Sequence, residues 1–79
     1  MKRVPFIRKE LGITQKQLAH IIGDWPCNIA QVETGQRKAW PKLRTAIAEA
    51  LGCDEVDLFA SDGTLLDVDW QLPRRQEVV

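Results

Sequence analysis

Cys27, Asn28, Gln31 and Thr34 fall on one side of a short candidate helix over positions 26–34 when the chain is wound at about 100° per residue. That side holds a thiol, two amides and a hydroxyl, and no charge. A helix face that only meets solvent usually carries Lys and Glu, so this one is suited to directed hydrogen bonding. Each amide presents donors and an acceptor at a fixed spacing, fit for a flat partner with the complementary pattern. Ile29 and Val32 lie on the opposite side, with Glu33 beside them. Just beyond come Arg37, Lys38, Lys42 and Arg44, donors suited to anionic oxygens. The competing readings are an ordinary polar helix face for Asn28 and Gln31, and a solvated basic patch for the cluster.

Other chemistries are poorly provided for. Cys27, Cys53 and His20 are scattered, whereas a structural zinc site normally takes four ligands at close spacings, so neither metal nor cofactor is expected. Two cysteines are too few for the disulfide framework of a small secreted domain and fit reduced thiols in a cytosol. Cys27 has no activating neighbour in sequence and reads as a small helix-face residue rather than a redox switch. The single histidine, His20, reads as a surface residue. With no nucleophile–base constellation and no phosphate-cradling glycine loop, an enzyme is not expected.

The elements that must hold the amide face are marked by glycines. Gly12, Gly23, Gly35 and Gly52 each follow a helix-like segment, where a left-handed residue is favoured. Helices are predicted over 5–11, 15–22, 26–34, 41–51 and 55–59. Thr14 with Gln17 makes a capping box for the second, and Asp54 is placed to cap the fifth. The expected core comprises Phe6, Ile7 and Leu11, then Leu18, Ala19 and Ile22, then Leu43, Ala46, Ile47, Ala50 and Leu51, and finally Val56, Leu58 and Phe59. Trp40 is expected to pack at the start of the fourth helix.

Positions 64–72 change period. Thr64, Leu66, Val68, Trp70 and Leu72 alternate with Leu65, Asp67, Asp69 and Gln71, as in a half-buried strand. A lone strand in a helical chain invites a second chain along its open edge. Leu66, Val68, Trp70 and Leu72 are therefore the expected dimerisation residues, and folding back within the chain is the alternative. The fold class expected is all-α, a five-helix unit over 1–60 with a C-terminal strand and tail over 61–79.

The chain has 79 residues, with 44% hydrophobic and 28% charged, ordinary values for one small soluble domain. Its net charge of zero conceals a division. Residues 1–44 carry nine basic and three acidic side chains, and residues 45–79 carry two basic and eight acidic. One end suits anions and the other does something else. No apolar run approaches the length of a membrane helix, and the N-terminus lacks a secretory pattern, so a soluble cytoplasmic protein is expected.

The run Thr14-Gln15-Lys16-Gln17-Leu18-Ala19-His20-Ile21-Ile22-Gly23, followed by Asp24-Trp25-Pro26-Cys27-Asn28-Ile29-Ala30-Gln31-Val32-Glu33-Thr34-Gly35, resembles the helix-turn-helix of the Cro/phage-repressor (xenobiotic-response-element type) DNA-binding family. The likeness begins at Arg8 and continues through Ile47-Ala48-Glu49-Ala50-Leu51-Gly52 and Asp57-Leu58-Phe59, about two thirds of the chain. It implies a compact repressor-like DNA-binding domain in which 15–22 positions and 26–34 recognises. Cys27, Asn28 and Gln31 then match base-reading positions, and Asn and Gln can pair bidentately with adenine. Gln15, Lys16, Trp25, Thr34, Gln36, Arg37 and Lys38 match or flank positions that contact phosphate and set the docking. Arg8 and Glu33 match a structural pair joining the first helix to the third. The resemblance implies a homodimeric transcriptional repressor on a palindromic operator of a phage, mobile-element or bacterial promoter. Its alternative is an antitoxin or adaptor of the same fold with a toxin-like protein partner. The chain departs from the pattern at Asp24-Trp25-Pro26, where a small apolar residue, a Ser or Thr and often a Gln or Arg are usual. Base reading is thereby concentrated on Asn28 and Gln31.

Overall fold

A computed structural model describes residues 1–68. In chain order its helices are α1 (Arg3–Glu10), α2 (Gln15–Ile22), α3 (Pro26–Glu33), α4 (Pro41–Leu51) and α5 (Glu55–Leu58). Each helix sends at least one side chain into a shared core: Val4, Leu18, Ile29 with Val32, Ile47 and Leu58 are all essentially buried. Burying a side chain of this size contributes about 1.5–3 kcal/mol. α2 packs against both α3 and α4, and α5 packs on α4. No helix among the described residues is long and apolar enough to cross a membrane.

The α2–α3 connection follows directly from local chemistry. The Thr14 hydroxyl accepts from the Gln17 backbone N–H at 3.0 Å, and Gln17 Oε1 accepts from the Thr14 N–H at 2.8 Å. At the other end Gly23 takes φ +73°, which only glycine adopts freely. The Asp24 N–H then reaches the Ala19 carbonyl at 2.9 Å, and the chain leaves α2 sharply. Pro26 stands at the first position of α3, where a missing N–H costs nothing.

Two residues expected in the core, Leu11 and Val56, lie outside it. α1 begins two residues ahead of Pro5, because the Arg3 N–H, otherwise unsatisfied in a first turn, donates to the Leu66 carbonyl at 2.8 Å. Val4 and Arg8 face inward, and Leu11 lies past the last helical residue with 52% exposure. Phe6 and Ile7 are half-buried. In α5, a single turn can bury only one side. Leu58 and the following Phe59 fill the core while Val56 is 77% exposed. Asp54 precedes α5 without a side-chain cap bond.

The C-terminal segment is also corrected. Among the described residues it makes isolated antiparallel bridges within the chain, Phe59 with Leu65 and Lys2 with Asp67, rather than a regular strand. The Leu66 N–H donates to the Leu58 carbonyl at 2.9 Å and the Val68 N–H to the Met1 carbonyl at 2.8 Å. Leu66 and Val68 are half-buried, and the N–H groups of both are satisfied by their own chain. Leu65, assigned by alternation to the opposite face, enters the core. Trp70 and Leu72 lie outside the described residues. The turn before this segment rests on Gly63, at φ +92°. A Cβ there would overlap the Ala39 carbonyl oxygen, so the turn docks flush on the loop that leads into α4.

Candidate nucleic-acid interface

The start of α3 is organised by a side chain outside it. Asp24 Oδ1 accepts from the Trp25 N–H at 2.6 Å and from Asn28 Nδ2 at 2.7 Å. Asn28 Oδ1 in turn accepts from Arg37 Nη1 at 3.1 Å. The Arg37 guanidinium lies 5.4 Å from the centre of the Trp40 ring, within cation–π range. Trp40 thus does more than pack, since it is half-buried against the core and also carries a cation. Asn28 is half-buried, with both ends of its amide engaged. An amide has two N–H groups and two acceptor lone pairs, so one of each remains.

Gln31 is half-buried near the middle of α3, with no protein hydrogen bond to its side chain among the described residues. Cys27 is exposed on the first turn, and Trp25 is 72% exposed beside it. The Thr34 hydroxyl donates back to the carbonyls of Ala30, at 3.0 Å, and Gln31, at 3.2 Å. Its proton is therefore committed to the helix end. Lys16, Gln36, Arg37 and Lys38 are exposed. Lys38 Nζ lies 3.6 Å from Asp62 Oδ2. Thr64 donates to Asp62 Oδ1 from its hydroxyl at 2.6 Å and its backbone N–H at 3.0 Å. Those two bonds, with a smaller contribution from Lys38, lower the Asp62 pKa to about 2.

The inner side of α3 holds a second polar set. Arg8 Nε donates to Glu33 Oε2 at 2.8 Å and Nη2 to Oε1 at 3.0 Å, with side-chain exposures of 8% and 4%. Arg8 Nη1 reaches the Ile13 carbonyl at 2.8 Å. Gln15 Nε2 donates to Glu33 Oε1 at 2.8 Å. The Gln15 side chain, expected at phosphate, is thus turned inward, leaving the backbone at the start of α2 and the exposed Lys16 on that side.

The sequence-level charge division is softened by pairing. Lys2 with Asp67, Arg8 with Glu33, Lys38 with Asp62 and Arg44 with Glu55 are ion pairs. Arg44 also donates to the Ala39 carbonyl at 2.7 Å, and Arg3 to the Asp57 and Asp67 carbonyls, both at 2.8 Å. Lys9, Lys16, Arg37 and Lys42 have no carboxylate partner among the described residues. Asp24 and Trp40 belong to the outer face and were absent from the expected site. Signals for both exist: Asp24 stands four residues before Asn28, one helical turn away, and Trp40 three after Arg37.

No protein-family model matches the chain. The competence pilus inhibition repressor of Acinetobacter baylyi is 33% identical over 76 residues, an overlap covering 89% of this chain and 68% of that protein. At that identity and coverage, the chain belongs to the family of the competence pilus inhibition repressor.

Proposed function

We propose that the chain is a sequence-specific double-stranded DNA-binding transcriptional regulator of the Cro/phage-repressor type, acting as a homodimeric repressor. The observation that carries this reading is the outer face of α3. It presents the unpartnered Gln31 amide and the half-engaged Asn28 amide, with Arg37 on the loop beyond. Amides in that setting match adenine edges in the major groove. Lys16, Arg37 and Lys38 supply the sequence-independent attraction to phosphate. A relative named as a repressor supports the regulatory part of the reading.

In this mechanism α2 crosses the backbone and α3 enters the groove. Phosphate contacts set the register, and Gln31 and Asn28 choose the sequence. Two copies then read half-sites separated by about 34–36 Å, one turn of the duplex. Selection of bound sites from random double-stranded DNA tests all of this at once. The expected product is a palindrome with that spacing and adenines under the α3 amides. No enrichment at low salt overturns the reading, and enrichment of a single unpaired half-site overturns the homodimer.

A further inference from the structure

The geometry points to Asp24 as a specificity-determining positioning residue, one that sets which way round the Asn28 amide faces the DNA. This inference rests on the DNA-binding reading above and extends it to a residue outside the recognition helix. An asparagine amide can turn over, exchanging its oxygen and nitrogen, and the two orientations present opposite patterns to a base. Pairing with adenine requires the nitrogen on N7 and the oxygen on the N6 amino group.

Two neighbours enforce one orientation. Asp24 Oδ1, an acceptor only when ionised, takes Asn28 Nδ2 at 2.7 Å, and Arg37, a donor only, takes Asn28 Oδ1 at 3.1 Å. Turning the amide over would set its oxygen against a carboxylate and its amino group against a guanidinium, losing two charge-assisted bonds. The supports are themselves held. Asp24 Oδ1 also accepts from the Trp25 N–H at 2.6 Å, and the Asp24 N–H donates to the Ala19 carbonyl at 2.9 Å. Arg37 lies over the Trp40 ring. The remaining N–H and lone pair of Asn28 are thereby presented in a set order before DNA arrives, which removes an ordering cost from recognition. The Asp24 carboxylate is meanwhile repelled by phosphate, so its presence favours base reading over general adhesion.

The test compares sites selected from random double-stranded DNA by the full chain, by D24A, by N28A and by the double variant. Affinity for random DNA and urea unfolding are measured alongside. The expected result is that D24A lowers the preference for adenine at one half-site position by at least about fivefold, the low end of what a bidentate amide–adenine pair supplies. Affinity of D24A for random DNA stays level or rises. In the N28A background the D24A change has no further effect on base preference, because Asp24 acts through Asn28. D24S provides a second variant should D24A not fold. Its hydroxyl can still accept from an N–H at the start of α3 but is one atom short of the reach to Asn28. Unchanged preference at every position in D24A or D24S overturns the proposal, as does an equal loss with and without Asn28. A wild-type chain that enriches no sequence overturns the DNA-binding reading itself, a result distinct from either.

Discussion

On each side of α3 a guanidinium, a carboxylate and an amide come together. On the inner side Arg8, Glu33 and Gln15 are joined by three side-chain hydrogen bonds, with the ion pair sealed from water. On the outer side Asp24, Asn28 and Arg37 are joined by two, at the surface. The chemistry is nearly identical and the consequences differ, because burial decides what a charge can do. Inside, every polar atom must find a protein partner, so the set locks α1 and α2 to α3. Outside, water and a ligand can reach the groups, so the set orients the amide without locking helices together. The amide is also placed differently in the two sets. In the inner set it shares the carboxylate with the guanidinium, and in the outer one it stands between carboxylate and guanidinium.

Removing one arginine from each side is the most severe way to break this comparison. Arg8→Met leaves Glu33 buried without its counter-charge and should destabilise the fold by about 3–5 kcal/mol in urea unfolding. Arg37→Met should alter stability by under about 1 kcal/mol, as exposed charges do. Equal losses would show that the outer set is structural too. Gln31→Ala comes next. It should narrow the gap between specific and random DNA by about 1–3 kcal/mol and leave the urea midpoint unchanged. Lys38→Ala should weaken binding to all sequences alike and make the salt dependence shallower by about one unit. An effect confined to one sequence would move Lys38 among the base readers.

The smallest effect concerns acid. Asp62 has its carboxyl lowered from 3.8 to about 2, first by the Thr64 hydroxyl and N–H and then by Lys38. A lowered folded-state pKa adds stability that is complete above the unfolded value and lost as pH falls through the folded one. The wild type should therefore lose stability between pH 3.8 and about pH 2 that Asp62→Asn never had. Parallel curves for the two proteins in that window would refute the link.

Local signals in the sequence suffice where the backbone alone decides. The capping box at Thr14 and the glycine after Ile22 bound α2 at the expected residues, and Pro41 with Gly52 did the same for α4. Distant contacts moved the rest. The start of α1 depends on a carbonyl at Leu66, which no pattern near Pro5 reveals. Alternation over 64–72 separates Leu65 from Leu66 and Val68 but does not say which face meets the core. The docking of Gly63 on Ala39 settles that, and it brings Leu65 inward. The amide face was legible from helical winding. The contacts that hold it, Asp24 to Asn28 and Arg37 to Trp40, fall at helical and near-helical spacings, yet they join loop residues whose paths depend on the tertiary fold.

The bridge between Lys2 and Asp67 also has a kinetic consequence. It joins segments that lie more than sixty residues apart, as the Arg3 side-chain bond to the Asp67 carbonyl does across a separation of 64. The α2–α3 unit is assembled from neighbours in sequence, whereas this junction must close the longest loop in the described chain. Closures of that kind come late, after the entropy of the intervening loop has been lost. Weakening the junction, for example by Arg3→Met, which removes the side-chain bond to the Asp67 carbonyl, should hasten unfolding and leave the refolding rate nearly unchanged. The seam where the two ends meet would then set the lifetime of the folded state.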